Sequence, residues 1–341
     1  DVGQIFGALV LAPTEPLKFG PVRLPAFGFG VDGLVYGVII GALLHLLIQV
    51  PGLIKYQFRW HPRVDFKESY TRKVLRLMGP RVVSMLFIQL IFLAQDNLGS
   101  RLSEGSVSAL TYGWWIMQVP QTLIGTSIAT AILPTLSEMF SNQQFELLKE
   151  RIERAARVMI TLTVPVAIVA GMVLLPVVRL FLGLDEAGTL RVANTSQIFL
   201  LGIVGHSLVE LFVRSFYALQ KPRVPLIGSA FTLVVFILLG IVLSPMLEAV
   251  GIAAANTIAY TLQTLLLLIL LRKTLPEPLR LGKTTLKSLL AAALGGAAAY
   301  AVVNWAPKLA GSLIGAVAAF GVGILLAALI LRKDLREIAD L

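Results

Sequence analysis

Residues 104–140, EGSVSALTYGWWIMQVPQTLIGTSIATAILPTLSEMF, decide the fold class of this chain. The stretch is apolar enough for a membrane helix, yet a helix from Gly105 to Phe140 is about 50 Å long at 1.5 Å per residue. A bilayer core is only about 30 Å thick. We therefore predict a membrane helix that tilts, bends or continues into the cytoplasm. Pro120 and Pro134 lack the N–H that the helical ladder needs, so we predict helix kinks at both.

The rest of the chain has the composition of a polytopic membrane protein. Of its 341 residues, 57% are hydrophobic and 14% charged, and the mean hydropathy is +0.83. Repeated apolar runs of about 18 or more residues predict transmembrane helices, so the predicted fold class is an all-α polytopic membrane protein. The first run, residues 2–12, is too short to span, and we expect it to be the end of a helix whose beginning is missing. The nine complete predicted spans are 27–50, 75–97, 107–136, 158–182, 192–219, 224–247, 250–271, 285–305 and 311–331.

The distribution of basic residues gives the topology. One set of alternate loops carries 21 of the 29 lysines and arginines and the other set carries five, while Arg81, Arg179 and Arg214 lie inside spans. Cytoplasmic loops are enriched in Lys and Arg, so the first set and the C-terminus are predicted to be cytoplasmic. The net charge of +10 is therefore a topology signal, and we expect no nucleic-acid partner.

Polar stretches divide the chain into segments. The longest of them is predicted to be a cytoplasmic linker that could lie on anionic headgroups. The predicted segments are 1–54 with the partial and first complete spans, 55–74 as the linker, 75–273 as a six-helix bundle, 274–284 as a cytoplasmic connection, and 285–341 as two Ala- and Gly-rich helices with a cytoplasmic tail.

Few residues suggest catalysis or metal binding. The chain has no cysteine, and its three histidines show no metal-ligand spacing. GFGVDG (28–33) matches a dinucleotide fingerprint but opens a membrane helix rather than following a strand. Gly33, Gly37 and Gly41 instead form a small-residue ladder that predicts close helix packing. We predict no enzyme activity, cofactor or metal, with a membrane enzyme built on scattered carboxylates as the alternative.

Polar and ionisable residues inside the spans predict a cavity, because such groups are costly in lipid. Several of them share one face of the quoted helix, and others lie on two further spans. The alternatives are interfacial anchors for Arg81 and Asp96, a self-neutralising pair for Glu210 and Arg214, and a merely packed, kinked helix at 107–136. The predicted cavity residues are Thr111, Trp114, Trp115, Gln118, Thr122, Arg81, Asp96, Glu210 and Arg214.

The quoted stretch closely resembles the eighth transmembrane helix of the MurJ/MviN lipid II flippases, which belong to the multidrug/oligosaccharidyl-lipid/polysaccharide (MOP) exporter superfamily. The similarity includes GSVSAL, Tyr112, Met117, Pro120 and the LPTLS that ends at Ser137. Three further stretches resemble the family's sixth helix, seventh helix, and tenth helix with its following turn. They are LHLLIQVPGL (44–53), VLRLMGPRVVSM (74–85) and RSFYALQKPRVP (214–225).

This resemblance implies a fourteen-helix flippase with two six-helix lobes and two C-terminal helices that form a lipid-tail groove. The chain would supply helices 5–14, with residues 1–54 ending the N-lobe. The implied function is to move the undecaprenyl-linked peptidoglycan precursor, lipid II, across the bacterial cytoplasmic membrane by alternating access. The implied partners are this lipid-linked glycan and membrane lipids, and the implied state is a monomer.

The chain also departs from the family pattern. Trp114 and Trp115 stand where the resemblance implies an acidic residue and an arginine. Gln118 stands where members of the family frequently have Glu. Residues 225–247 contain neither Asp nor Asn, so we predict no sodium site of the kind that some members have. The alternatives are a flippase for another lipid-linked oligosaccharide and a truncated, non-transporting membrane scaffold.

Overall fold

The computed structural model describes residues 2–19, 22–57, 69–305 and 313–335, and nearly all of them are helical. The elements in chain order are α1 (Val2–Phe6) with a π-helical turn (Gly7–Leu11), β1 (Lys18–Phe19), β2 (Val22–Arg23), α2 (Gly30–Leu47), α3 (Val50–Lys55), α4 (Ser69–Gly99), α5 (Ser106–Gln121) with a π-helical turn (Thr122–Thr126), α6 (Ser127–Ser141), α7 (Phe145–Leu182), α8 (Glu186–Ala218), α9 (Arg223–Arg272), α10 (Gly282–Trp305) and α11 (Leu313–Leu335).

The predicted all-α membrane fold is confirmed for the described residues. Eight helices are long and apolar enough to cross a membrane, and Val2–Leu11 forms a shorter apolar helix. The longest, α9, is interrupted at Glu248 (φ 52°, ψ −135°), so it contains both predicted spans 224–247 and 250–271. One departure is the two-residue antiparallel hairpin of β1 and β2, which pairs Lys18 with Arg23. Such short strands carry too few residues for a periodicity signal.

The chain forms two compact units, 1–68 and 69–341. The predicted linker 55–74 lies mostly outside the described residues. In the first unit, the glycine ladder of α2 packs directly against the start of the chain, which confirms the predicted close packing. A Cβ on Gly37 would lie 2.7 Å from Cα of Gly7, and one on Gly33 would lie 2.6 Å from N of Ala12. The backbones approach this closely because the glycines of α2 carry no side chain, and at Gly37 the facing residue is also a glycine.

The second unit is built around α8, which is mostly buried among α5, α6, α7 and α9. Glycine again allows a close approach, since a Cβ on Gly205 would lie 3.2 Å from N of Thr261 in the second half of α9. Threonines of α9 also bond to the α8 backbone. Thr264 Oγ1 donates to the carbonyl of Gly205 at 2.9 Å, and Thr257 Oγ1 donates to that of Ile198 at 2.9 Å. Small residues and hydroxyl donors of this kind hold membrane helices together where the hydrophobic effect does not.

Helix α7 begins well before the predicted span 158–182, because its first turns pack against the connection between α9 and α10. Lys149 Nζ lies 3.1 Å from Glu277 Oε2, and the backbone N–H of Arg280 donates to Glu153 Oε2 at 3.1 Å. Glu153 also pairs with Arg157. We call these five residues, Lys149, Glu153, Arg157, Glu277 and Arg280, the charge network. It lies next to the buried leucines 275 and 279 of the connection.

The C-terminal helices α10 and α11 lie against the membrane part of α7. A Cβ on Gly296 would be 2.7 Å from Cγ2 of Ile168, and a Cβ on Gly323 would be 2.7 Å from Cγ1 of Val169. The two predicted spans 285–305 and 311–331 therefore belong to the same compact unit as the six-helix bundle.

The quoted stretch forms α5, the π-helical turn and α6. The π-helical turn begins two residues after Pro120, and Ser127 Oγ donates to the carbonyl of Thr122 at 3.0 Å. Pro134 lies inside α6, which continues to Ser141. The kinks predicted at the two prolines stay predictions.

Candidate functional site

A polar pocket of about 490 Å³ lies inside the second unit, between α4, α5, the following π-helical turn, α6, α8 and both halves of α9. Its walls come from membrane-length helices, so its polar groups lie in segments that are otherwise apolar. Polar residues at membrane depth are tolerated where they line a cavity rather than face lipid. We describe the pocket in three parts: a charged end, an amide and hydroxyl band, and an aromatic end.

The charged end contains Arg81, Glu210, Arg214 and Tyr217. Arg214 forms an ion pair with Glu210, one turn earlier on α8, and also donates to the backbone carbonyl of Glu210 at 3.3 Å. The guanidinium of Arg81 lies 5.8 Å from the ring centroid of Tyr217, a cation–π distance. Arg81 lies in the first half of α4 and the other three lie towards the end of α8, and the predicted topology places these parts of the two helices nearer the cytoplasmic side.

The middle of the pocket is lined by amides and hydroxyls. Gln118, Gln121 and Thr122 contribute from the quoted stretch, and Gln121 Nε2 approaches Thr126 Oγ1 at 3.4 Å. Gln263 contributes from the second half of α9. These groups both donate and accept hydrogen bonds, so the band suits a ligand rich in hydroxyl or amide groups.

The aromatic end is formed by Trp114, His206 and Tyr260, which come from α5, α8 and α9. The His206 ring stacks on Tyr260 with centroids 3.7 Å apart, and Trp114 meets His206 edge-on at 5.5 Å. His206 Nε2 lies 3.0 Å from Asn256 Oδ1, which fixes the ring. Trp114 also packs edge-on against Phe199 at 6.0 Å. This end therefore presents fixed aromatic rings to the pocket.

Six of the nine predicted cavity residues line this pocket. They are Arg81, Trp114, Gln118, Thr122, Glu210 and Arg214. Their role in binding stays a prediction, but their convergence from α4, α5, the π-helical turn and α8 is a property of the structure.

The other three predicted residues lie outside the pocket. Trp115 is 57% exposed, because successive helical residues point about 100° apart and only Trp114 faces inward. Asp96 is exposed, whereas its neighbour Gln95 is buried and faces the helix bundle. Thr111 Oγ1 donates to the carbonyl of Val107 on its own helix at 2.9 Å. The structure does not bring these three residues into the pocket, and their cavity assignment stays a prediction.

The sequence analysis missed several lining residues. His206 lies four residues before Glu210 and hence on the same face of α8, a spacing that would have found it. Tyr217 follows Arg214 by three residues and had the same signal. Tyr260 and Gln263 come from a helix without charged residues inside the span, so only the packing of α9 on α8 reveals them. Among the described residues, no group of three His, Cys, Asp or Glu side chains could hold a metal ion.

The fold of this chain is similar to that of solved transporter structures. The structure is similar to a solved lipid II flippase MurJ in an inward closed conformation, with a TM-score of 0.69 at 21% identity, over 91% of this chain and 63% of that one. It is also similar to a MOP superfamily transporter from Pyrococcus furiosus, with a TM-score of 0.52 at 13% identity, over 77% of this chain and 66% of that one. At these identities the similarity defines the fold alone.

The family follows from the sequence. The model of the family "Lipid II flippase MurJ" matches residues 1–317, and the chain belongs to this family. It is 28% identical over 280 residues to the lipid II flippase MurJ of Burkholderia cenocepacia, covering 80% of this chain and 52% of that protein. It is 28% identical over 289 residues to the probable lipid II flippase MurJ of Rhizobium meliloti, covering 82% and 53%. The chain spans about half the length of these relatives.

Proposed function

We propose that the protein to which this chain belongs moves lipid II, the undecaprenyl-linked peptidoglycan precursor, across the bacterial cytoplasmic membrane. Family membership supports the reaction class, and the pocket supports a polar headgroup as cargo. The headgroup would occupy the pocket while the lipid tail stays in the bilayer, and the lobes would alternate between the two membrane sides. No bond is made or broken in this process, so the protein acts as a transporter rather than an enzyme.

The single observation that carries the proposal is the three-part pocket inside an apolar helical unit. Guanidinium groups bind phosphate oxygens by charge-assisted hydrogen bonds. Amides and hydroxyls, such as those of Gln118 and Gln263, pair with sugar hydroxyls and peptide groups. The rings of the aromatic end supply a flat apolar surface for a sugar face. The pocket therefore matches a diphosphate-linked glycan better than an apolar drug or a single ion.

The C-terminal helices support the placement of the lipid tail. Leucines on α10 and α11 are more than half exposed within the described unit. They are Leu290, Leu294, Leu325 and Leu329. We propose that this apolar surface forms part of a groove for the polyprenyl chain. We further propose a monomer with a cytoplasmic C-terminus, in agreement with the excess of basic residues in the same set of loops.

One observation favours a second candidate, a flippase for another lipid-linked oligosaccharide. Trp114, with His206 and Tyr260, gives the pocket an aromatic end at a position where the family resemblance implies a charged residue. A glycan with a different sugar next to the diphosphate would suit that change.

Complementation of a bacterium depleted of its lipid II flippase, using the full-length gene that encodes this chain, tests the proposal. We expect rescue by the wild type, loss of rescue by Trp114→Ala, and rescue by Trp115→Ala, which is the matched control outside the pocket. Absence of rescue despite normal membrane insertion would reject lipid II as the cargo. Transport of another lipid-linked oligosaccharide in vesicles would then support the second candidate, and no transport at all would support a scaffold.

A further inference from the structure

The two arginines of the pocket differ in their electrostatic surroundings. The Arg214 guanidinium pairs with the Glu210 carboxylate, and their side chains are 20% and 38% exposed. Arg81 lies over the Tyr217 ring, and no carboxylate among the described residues lies within ion-pair distance of it. An aromatic face attracts the cation but does not neutralise its charge. The charged end therefore contains one neutralised arginine and one that keeps its full charge.

The positions of the two arginines in the fold strengthen the difference between them. Glu210 and Arg214 are four residues apart on one helix, so their pairing needs no other element and persists while the surrounding helices move. Arg81 comes from α4 and Tyr217 from α8, so the cation–π contact joins two helices across the pocket. An unneutralised guanidinium inside a membrane domain is costly unless it faces water or an anion. Arg81 is exposed and has no carboxylate partner among the described residues, so it is the arginine that an anion in the pocket can bind without displacing another group.

We propose that Arg81 binds the diphosphate of the cargo, that Tyr217 positions its guanidinium, and that Glu210 keeps Arg214 from binding the same anion. This inference rests on the proposed function and assigns the anion-binding part of its site. Glu210 then sets the charge selectivity: the pocket presents one net positive charge instead of two. A single positive charge leaves part of the diphosphate charge uncompensated, which favours release of the headgroup on the far side of the membrane.

Binding of a minimal probe tests the role of Arg81 without transport. The full-length protein is placed in phosphatidylcholine nanodiscs and titrated with farnesyl diphosphate or with farnesol by calorimetry. Arg81→Gln is expected to weaken farnesyl diphosphate binding by about tenfold or more, since a hydrogen bond to a charged group is lost. Arg81→Lys should restore most of that affinity, and farnesol binding should not change. Equal affinity of wild type and Arg81→Gln for farnesyl diphosphate would overturn the proposal.

A double-mutant cycle separates Arg81 from Arg214. Glu210→Gln should strengthen farnesyl diphosphate binding several-fold, because it exposes the charge of Arg214. Arg214→Gln should weaken it, because the Glu210 carboxylate then repels the anion. The double variant should return close to the wild type if Arg214 does not bind the diphosphate itself. A double variant as weak as Arg214→Gln would show that Arg214 is the anion-binding residue and would overturn the assignment.

Two further comparisons complete the test. Tyr217→Phe keeps the ring and should bind farnesyl diphosphate like the wild type. Tyr217→Leu removes the ring and should weaken the binding. Equal losses of affinity in both variants would refute a positioning role through the ring. If phosphatidylglycerol competes for the site as well as farnesyl diphosphate does, then Arg81 binds bulk anionic lipid and the cargo assignment is overturned. Failure of complementation with these binding results intact would reject the proposed function alone, since binding is measured independently of transport.

Discussion

Removal of the Glu153 carboxylate should loosen the charge network strongly. The side chain is only 10% exposed, pairs with Arg157 and Lys149, and accepts the backbone N–H of Arg280 at 3.1 Å. Breaking a buried ion pair by removing one partner typically costs about 3–5 kcal/mol. Lys149 keeps Glu277 at 3.1 Å, so we expect Glu153→Ala to lower the free energy of unfolding by about 3 kcal/mol, near the lower limit of that range.

Denaturant unfolding in detergent measures this loss, with Glu186→Ala as the control. Glu186 pairs with Arg179, but their side chains are 66% and 55% exposed, and such surface pairs contribute about 0–1 kcal/mol. Glu153→Gln keeps an acceptor for the Arg280 N–H and should fall between the two. If Glu153→Ala costs no more than Glu186→Ala, the network does not hold the connection to α7 and the reasoning is refuted.

Three further outcomes are expected. Gly251→Ala should lower the melting temperature of the protein, because a Cβ there would overlap the carbonyl of Leu243. Gly79→Ala, with no atom within 4 Å of its Cβ position, should not lower it. Equal melting temperatures of the two variants would contradict the close approach of Gly251 to Leu243. Thr264→Val removes the bond from α9 to α8 and should cost roughly 0.6 kcal/mol, the average for such bonds in membranes, in the same unfolding assay. Asp96→Asn should leave complementation intact, because the side chain is exposed outside the pocket, and a loss would return Asp96 to the site.

Hydropathy predicted the spans because it follows from transfer energies that act on each segment independently. Helical periodicity predicted Trp114, Gln118 and Thr122 in the pocket for the same reason, since one face of one helix is a local property. Predicted residues lie outside the pocket where a shift of one residue decides the direction of the side chain. Trp115 differs from Trp114, and Asp96 from Gln95, by a single 100° step that an approximate helix phase does not resolve.

The remaining pocket residues and the charge network depend on contacts between distant parts of the chain. Tyr260 and Gln263 reach the pocket only because glycines and threonines bring the second half of α9 against α8. The link between Glu153 and Arg280 joins segments more than a hundred residues apart, and each residue alone resembles an ordinary solvated charge. Pairings of this kind require tertiary packing, which no local pattern specifies.

The attachment of α10 and α11 to α7 also has a practical consequence for spectroscopy. Gly296 and Gly323 touch the middle of α7, and the charge network fixes the connection between α9 and α10 to the N-terminal end of α7. A pair of fluorophores on α7 and α10 should therefore keep a constant separation and serve as an internal ruler. A change in a second pair, with one dye on α7 and one within residues 1–68, would then report motion between the two units rather than deformation of the larger one.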